Sequence, residues 1–248
     1  MTEGHPDKIA DQISDAILDE LLKQDKYSRC AAECLTTTGL VVVAGEITTK
    51  GYVEIQDVVR RTLKEIGYTN PEFGIDCNDA GVMVSVHGQS PDIAQGVDDK
   101  AAEGKETAEQ GAGDQGMMYG YATNETPELM PFPIVLAHKL TRKLAEARKT
   151  NLIHGLGPDG KSQVSVEYHD GKPKRLTAVV IAQQHIENIA EAQLKKDILE
   201  KRPLIDLTRR QQLVAYKHTG FWKCMDTYKD LYELNKTWRQ GAAPWKKW

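Results

Sequence analysis

Between residues 9 and 23 the apolar positions recur at helical spacing. Ile9, Ile13, Ala16, Ile17 and Leu21 form one stripe, and Asp11, Asp15 and Asp19 fall on other faces. The pattern predicts an amphipathic helix. Pro6 suits its first turn, where the missing N–H costs nothing, so the helix starts within His5-Pro6-Asp7-Lys8. The period then changes. Residues 30 to 38 and 40 to 48 read as two strands punctuated by Gly39, with Val41, Val42, Val43 and Ile47 as strand formers. A second amphipathic helix is expected at about 52 to 66, carried by Val53, Ile55, Val58, Val59, Leu63 and Ile66. Gly81 to His87 reads as a third strand.

From Gly88 to Gly116 the periodicity disappears, in a stretch with six glycines and seven acids. A loop of that length in a compact domain is either a functional lid or a disordered segment. Pro131 to Lys149 then reads as a third helix, with Ile134, Ala137, Leu140 and Leu144 on one face. Lys161 to Tyr168 alternates as a strand, Asp170-Gly171 is a hairpin-like turn, and Leu176 to Ala182 returns. A charged helix is expected over about 186 to 201, ended by Pro203. Strand pairs interspersed with helices argue an α+β fold of mainly antiparallel sheets with packed helices. Residues 204 to 248 differ in character and hold all four tryptophans, Trp222, Trp238, Trp245 and Trp248, which marks a domain boundary.

Composition adds bounds. With 40% hydrophobic and 27% charged residues the chain can build a core without disulfides, and a 6% aromatic share throws its packing onto Val, Ile, Leu and Ala. A net charge of -4 gives no reason to expect nucleic acid or an anionic membrane as partner. A phosphate-bearing small molecule stays open, because local charge decides there. Cys30, Cys34, Cys77 and Cys224 form no CxxC pair and no zinc framework, which reads as reduced thiols. Cys30 and Cys34 are four apart in a strand and face the same side. No apolar run reaches the ~18 residues of a membrane span. The first residues do not read as a signal peptide, so the expected location is the cytoplasm.

Four places carry candidate chemistry. His5-Pro6-Asp7-Lys8 sets an imidazole, a carboxylate and an ammonium at a helix start, where free N–H groups and the dipole attract phosphate. Asp7 suits phosphate-bound magnesium (Mg²⁺), which takes one or two carboxylates. A helix cap with solvated neighbours fits the same residues. Glu33 and Glu46 interrupt otherwise neutral strands, either aimed into a site or simply facing outward. Gly111 to Gly116 is the densest glycine cluster, a close approach to a ligand or a connector; it is no P-loop. Pro158-Asp159-Gly160-Lys161 reads as a loop-to-strand junction whose Lys161 reaches a polyphosphate or is a solvated surface lysine.

EGHPDKIADQISDAILD (Glu3 to Asp19), GEITT (Gly45 to Thr49), GAGDQGMMYGYATNET (Gly111 to Thr126), LMPFPIVLAHKL (Leu129 to Leu140) and PDGKSQV (Pro158 to Val164) follow one another in the order of motifs in S-adenosylmethionine synthases (methionine adenosyltransferases). The chain resembles that family from residue 2 to about 201. The resemblance implies two related domains, at 1–92 and an incomplete one at 111–201, joined by a mobile active-site loop at 93–110. It implies that S-adenosylmethionine is formed from ATP and L-methionine, with release of phosphate and pyrophosphate. His5, Asp159, Lys161 and Asp114 would meet ATP, with His5 and Lys161 as the catalytic pair. Asp7 would bind Mg²⁺, Glu33 potassium (K⁺), and Glu46 and Gln89 methionine. Active sites in this family form between subunits, so a homo-oligomer, dimer or tetramer, is implied.

The family pattern also includes a short strand before EGHPDK and a third domain with the motif GGGAFSGKD, neither of which is found here. The tail, 202–248, resembles something else. HTGFWKCMDTYKDLYELNKTW (His218 to Trp238) and APWKKW (Ala243 to Trp248) are similar to the C-terminal end of a glucose-1-phosphate cytidylyltransferase, with Asp226 matching a residue near that family's metal site. Packing is the alternative role for the tail's aromatics. Three functions are therefore expected to compete: a synthase, a non-catalytic fusion remnant that binds or oligomerises, and a sugar-nucleotide cytidylyltransferase fragment.

Overall fold

The apolar stripe at the start of the chain forms the helix it predicts. In the computed structural model, which describes residues 1–89, 116–187, 189–200 and 228–245, α1 spans Pro6–Gln24 and buries Ile9, Ile13, Ile17 and Leu21. The chain divides into two units, Met1–Val214 and Ala215–Trp248.

In the first unit, β1 (Arg29–Thr37) and β2 (Leu40–Thr48) pair antiparallel, with Arg29 opposite Thr48 and Thr37 opposite Leu40. The chain crosses over through α2 (Ile55–Ile66) to β3 (Gly81–His87), which joins β2 in parallel, so this sheet is mixed. A parallel pair needs such a long connection, and α2 supplies it. After α3 (Phe132–Lys149), β4 (Leu156–His169) and β5 (Lys172–His185) form an antiparallel hairpin, followed by α4 (Glu191–Glu200). Asp170 and Gly171 turn that hairpin with positive φ of 50° and 71°, the geometry of its tight turn. The architecture is α+β, with antiparallel pairing in two of its three strand pairs.

Alternation along the mixed sheet separates two faces. Val41 and Val43 point inward and are fully buried, with Cys30, Cys34 and Ile47 packed around them and α1 and α2 laid over them. Cys30 and Cys34 thus share one side, as their spacing implies. The other face carries Ala31, Glu33 and Leu35 on β1, Val42, Ala44 and Glu46 on β2, and Met83, Ser85 and His87 on β3. Leu35 and Met83 there are 57% and 60% exposed. A second core joins Leu144 and Ala147 of α3 to Ile153, Leu156, Leu194 and Ile198.

Several boundaries differ from the pattern. The returning strand β5 begins at Lys172, four residues before the expected Leu176, and runs on to His185. The second helix begins at Ile55, not at 52: the Gln24 side chain bonds both the N–H and the C=O of Tyr52, and the N-cap Glu54 is extended. The fourth strand begins at Leu156, so 158–161 lies inside β4 and is not a junction. The last helix of this unit begins at Glu191, five residues after the expected start. In the second unit, α5 (Tyr228–Arg239) is a helix with Trp238 43% exposed, so that tryptophan is only partly packed. The expected boundary at 202 and the glycine cluster at 111–115 lie outside the described residues, as does the loop at 93–110.

Leu63 is fully buried between sheet and helix, whereas Leu35 is on the open face. Leu63→Ala is expected to destabilise the chain by about 2–5 kcal/mol and Leu35→Ala by less than about 1 kcal/mol, measured by urea unfolding.

Candidate active site

Residues 2 to 5 run alongside β4 and carry the start of α1 with them. The Thr2 N–H donates to the Gly160 carbonyl at 2.7 Å, and its hydroxyl to the Pro158 carbonyl at 2.8 Å. At Gly4 a Cβ would come within 2.4 Å of the Pro158 backbone, so only glycine allows this approach. Glu3 accepts from Arg148 at 2.6 Å and from Lys149 at 2.8 Å, and Arg148 also donates to the Ile66 carbonyl at 2.6 Å. The region before α1 is thereby tied to both α3 and β4.

His5 is the N-cap of α1. Its Nδ1 accepts the Asp7 N–H at 3.2 Å, and its side chain is 15% exposed. With Nδ1 used as acceptor, the neutral ring carries its proton on Nε2, which remains a donor. Asp7 is 80% exposed in the first turn. Lys8 is turned to Asp11 at 2.8 Å, and this ion pair raises its pKa. The helix start is therefore both a cap and an open anion-attracting end: the cap bond uses Nδ1, and Nε2 has no hydrogen bond among the described residues.

Asp159 reaches the same region from β4. Its Oδ1 is buried without a hydrogen-bond partner among the described residues, as is the Thr36 hydroxyl. Both residues line a cavity of about 270 Å³ together with Pro6, Tyr68 and Gln184. The Tyr68 hydroxyl donates to the Gly4 carbonyl at 2.5 Å, and burial, then the Asp159 charge, push its phenol well above the ordinary value. The segment 157–160 is held in β4 by Gln183, whose amide donates to the Gly157 and Asp159 carbonyls at 2.8 Å each, across a register shift between Leu156 and Gly160. Such an irregularity accommodates Pro158 inside a strand. Lys161 follows on an exposed position opposite Ala182, with no ion pair among the described residues.

The second group occupies the open face of the mixed sheet. Glu33 lies exposed on the edge strand opposite Ala44. Glu46, half-buried on the central strand, stands between Ala31 and His87. Gly45 before it adopts φ 128°, and a Cβ there would sit 2.0 Å from the Ala31 carbonyl, so the glycine of GEITT is required by the pairing. Both carboxylates therefore face away from the core. Gln89 follows β3, and its Oε1 accepts from Arg29 Nε at 2.9 Å. Asp114 lies outside the described residues. Sequence reasoning passed over Arg29, His87 and Tyr68. Alternation back from Glu33 reaches Arg29; His87 needs the parallel register, and Tyr68 needs the tertiary fold.

The result is an α+β chain whose charged groups gather at one helix start and on one sheet face. Residues 1–91 match the family model of the S-adenosylmethionine synthetase N-terminal domain, and residues 109–219 that of the S-adenosylmethionine synthetase central domain. Across these two regions the chain belongs to the S-adenosylmethionine synthetase family. An S-adenosylmethionine synthase of Pseudothermotoga lettingae is 57% identical over 208 residues, covering 81% of this chain and 52% of the relative. One from Roseiflexus castenholzii is 52% identical over 207 residues, covering 80% and 51%. One from Syntrophobacter fumaroxidans is 54% identical over 201 residues, covering 81% and 51%. The chain spans about half the length of the curated relatives it matches.

Tyr68 generates a pH prediction. In the fold its phenol keeps its proton beyond the ordinary range, so above pH ~10 the unfolded chain binds fewer protons than the folded one and stability falls as pH rises. Tyr68→Phe is expected to cost about 1–2 kcal/mol at pH 7, by orphaning the Gly4 carbonyl, and to make the alkaline decline shallower. Urea unfolding at pH ~7 and ~10.5 measures both.

Proposed function

We propose that this chain carries the ATP and methionine sites of a methionine adenosyltransferase and forms S-adenosylmethionine from ATP and L-methionine. The observation that carries the reading is the seating of residues 2 to 4 on β4, which brings the His5 helix start beside Asp159. In the reaction the methionine sulfur attacks C5′ of ATP, a sulfonium forms, and the C5′–O bond breaks to release triphosphate. Hydrolysis of the triphosphate gives pyrophosphate and phosphate. Thioether sulfur has a free lone pair, so the attack needs no general base. The protein's task is to hold sulfur and C5′ in line and to stabilise a polyanionic leaving group.

His5 Nε2–H and the exposed Lys161 ammonium are the donors we assign to the triphosphate, helped by the α1 N–H groups. Asp159 and Asp114 complete the ATP site, and Glu46 and Gln89 hold methionine. Asp7 would hold Mg²⁺ and Glu33 K⁺. The fit to Mg²⁺ is chemical: phosphate-bound Mg²⁺ asks for one or two carboxylates, and Asp7 offers one, exposed in the first turn of α1. Bound there, the cations would supply charge neutralisation to the triphosphate.

The partner we propose is a second copy of this chain. The open sheet face with Leu35 and Met83, and the run Met117 to Tyr121, where Met118 is 92% exposed, offer apolar surface for it. The same surface favours a second reading, an oligomerising module without turnover. We keep a cytoplasmic location as a proposal, supported by the free thiols of Cys30, Cys34 and Cys77 among the described residues. No helix among the described residues is long and apolar enough to cross a membrane. For 204–248 we keep the likeness to the end of a glucose-1-phosphate cytidylyltransferase as an ancestry of the tail.

Incubating the purified chain with ATP, L-methionine, Mg²⁺ and K⁺, and measuring S-adenosylmethionine by mass spectrometry, tests the proposal. Product is expected, reduced about 100-fold by His5→Ala and by Lys161→Ala without loss of fold. Glu46→Gln is expected to raise the KM for methionine and to leave that for ATP unchanged. A folded chain that forms no product leaves the oligomerising module as the reading.

A further inference from the structure

Arg29 and Gln89 are 60 residues apart in the chain, yet the Arg29 Nε–H donates to Gln89 Oε1 at 2.9 Å. A glutamine amide can turn either end toward a neighbour, but a guanidinium carries donors only. The contact therefore sets the amide: its oxygen toward Arg29, its –NH₂ away. Arg29 is itself half-buried as the first residue of β1, opposite Thr48, and Glu46 stands two residues before Thr48 on the same open face, beside His87. The pair is thus built into the same corner of the sheet as the Glu46 carboxylate.

We propose that Arg29 is a positioning residue of the amino-acid pocket. By occupying the amide oxygen it commits Gln89 to donating, so Gln89 receives the carboxylate of the substrate and Glu46, an acceptor only, receives its ammonium. The corner then distinguishes the two ends of a zwitterion through an arginine that need not touch it. This rests on the reading of Glu46 and Gln89 as methionine ligands.

The test titrates the full chain, by calorimetry with a non-hydrolysable ATP analogue present, with L-methionine and with L-methioninol, which lacks the carboxylate. Arg29→Met is expected to weaken L-methionine at least about tenfold while leaving L-methioninol, the ATP analogue and Tm nearly unchanged. Arg29→Lys keeps a donor and should recover most of the loss. Gln89→Glu keeps a partner for Arg29 but has no donor, and should also lose L-methionine. The Gln89 side-chain amide resonances should move in Arg29→Met. Equal weakening of both ligands, or L-methionine affinity unchanged in Arg29→Met, overturns the positioning role. An unaltered chain that binds neither ligand overturns the methionine-site reading and this proposal with it, an outcome told apart by its own flat isotherm.

Discussion

Everything at the candidate site depends on how residues 2 to 5 lie against β4. Thr2 is buried and spends both its N–H and its hydroxyl on β4 carbonyls. Gly4 passes where no side chain fits. Glu3 is clamped by Arg148, whose side chain is only 13% exposed, and by the more exposed Lys149. A hydrogen-bonded pair with so little solvent is worth more than a surface ion pair, so Arg148 dominates the clamp and Lys149 adds little. The consequence is geometric. The N-cap of α1 cannot move without breaking contacts to α3 and β4 together, and the imidazole of His5 inherits that rigidity.

Beside this docking lie two buried polar atoms, Asp159 Oδ1 and the Thr36 hydroxyl, with no hydrogen-bond partner among the described residues, and both residues line the cavity beside Pro6. Burying a carboxylate oxygen without a donor is costly, and water or a ligand that brings donors relieves that cost. Tyr68, a potential donor nearby, is already committed to the Gly4 carbonyl. The fold thus stabilises its docking at one atom while leaving a neighbouring acceptor open.

The mixed sheet solves a second problem, that of placing carboxylates near apolar surface without burying them in the core. Alternation assigns Val41 and Val43 to the helices and Glu33 and Glu46 to the open face. The central strand makes Glu46 the better enclosed of the two, flanked by strands on both sides, while Glu33 on the edge strand stays in solvent. Position in the sheet, more than residue type, separates the environments of the two acids.

The helices α1 to α3, the hairpin of β1 and β2, and the turn at Asp170-Gly171 were legible in the sequence, because each is written in contacts a few residues apart: a 3.6-residue stripe, a 2-residue alternation, a turn dipeptide. The family motifs pointed to His5, Asp159 and Lys161, and alternation put Cys30 and Cys34 on one side. What periodicity could not carry were pairings across long stretches of chain. The seating of Thr2 on Pro158 spans 156 residues, Glu3 with Arg148 spans 145, and Arg29 with Gln89 spans 60. The strand that absorbs Pro158, the later start of α2 and the parallel partner of β2 follow from such pairings as well. Local pattern determined which segments are helix and strand and which residues have the right chemistry; tertiary structure decided which of them meet, because a contact between distant residues leaves no period in the sequence that a reader can count.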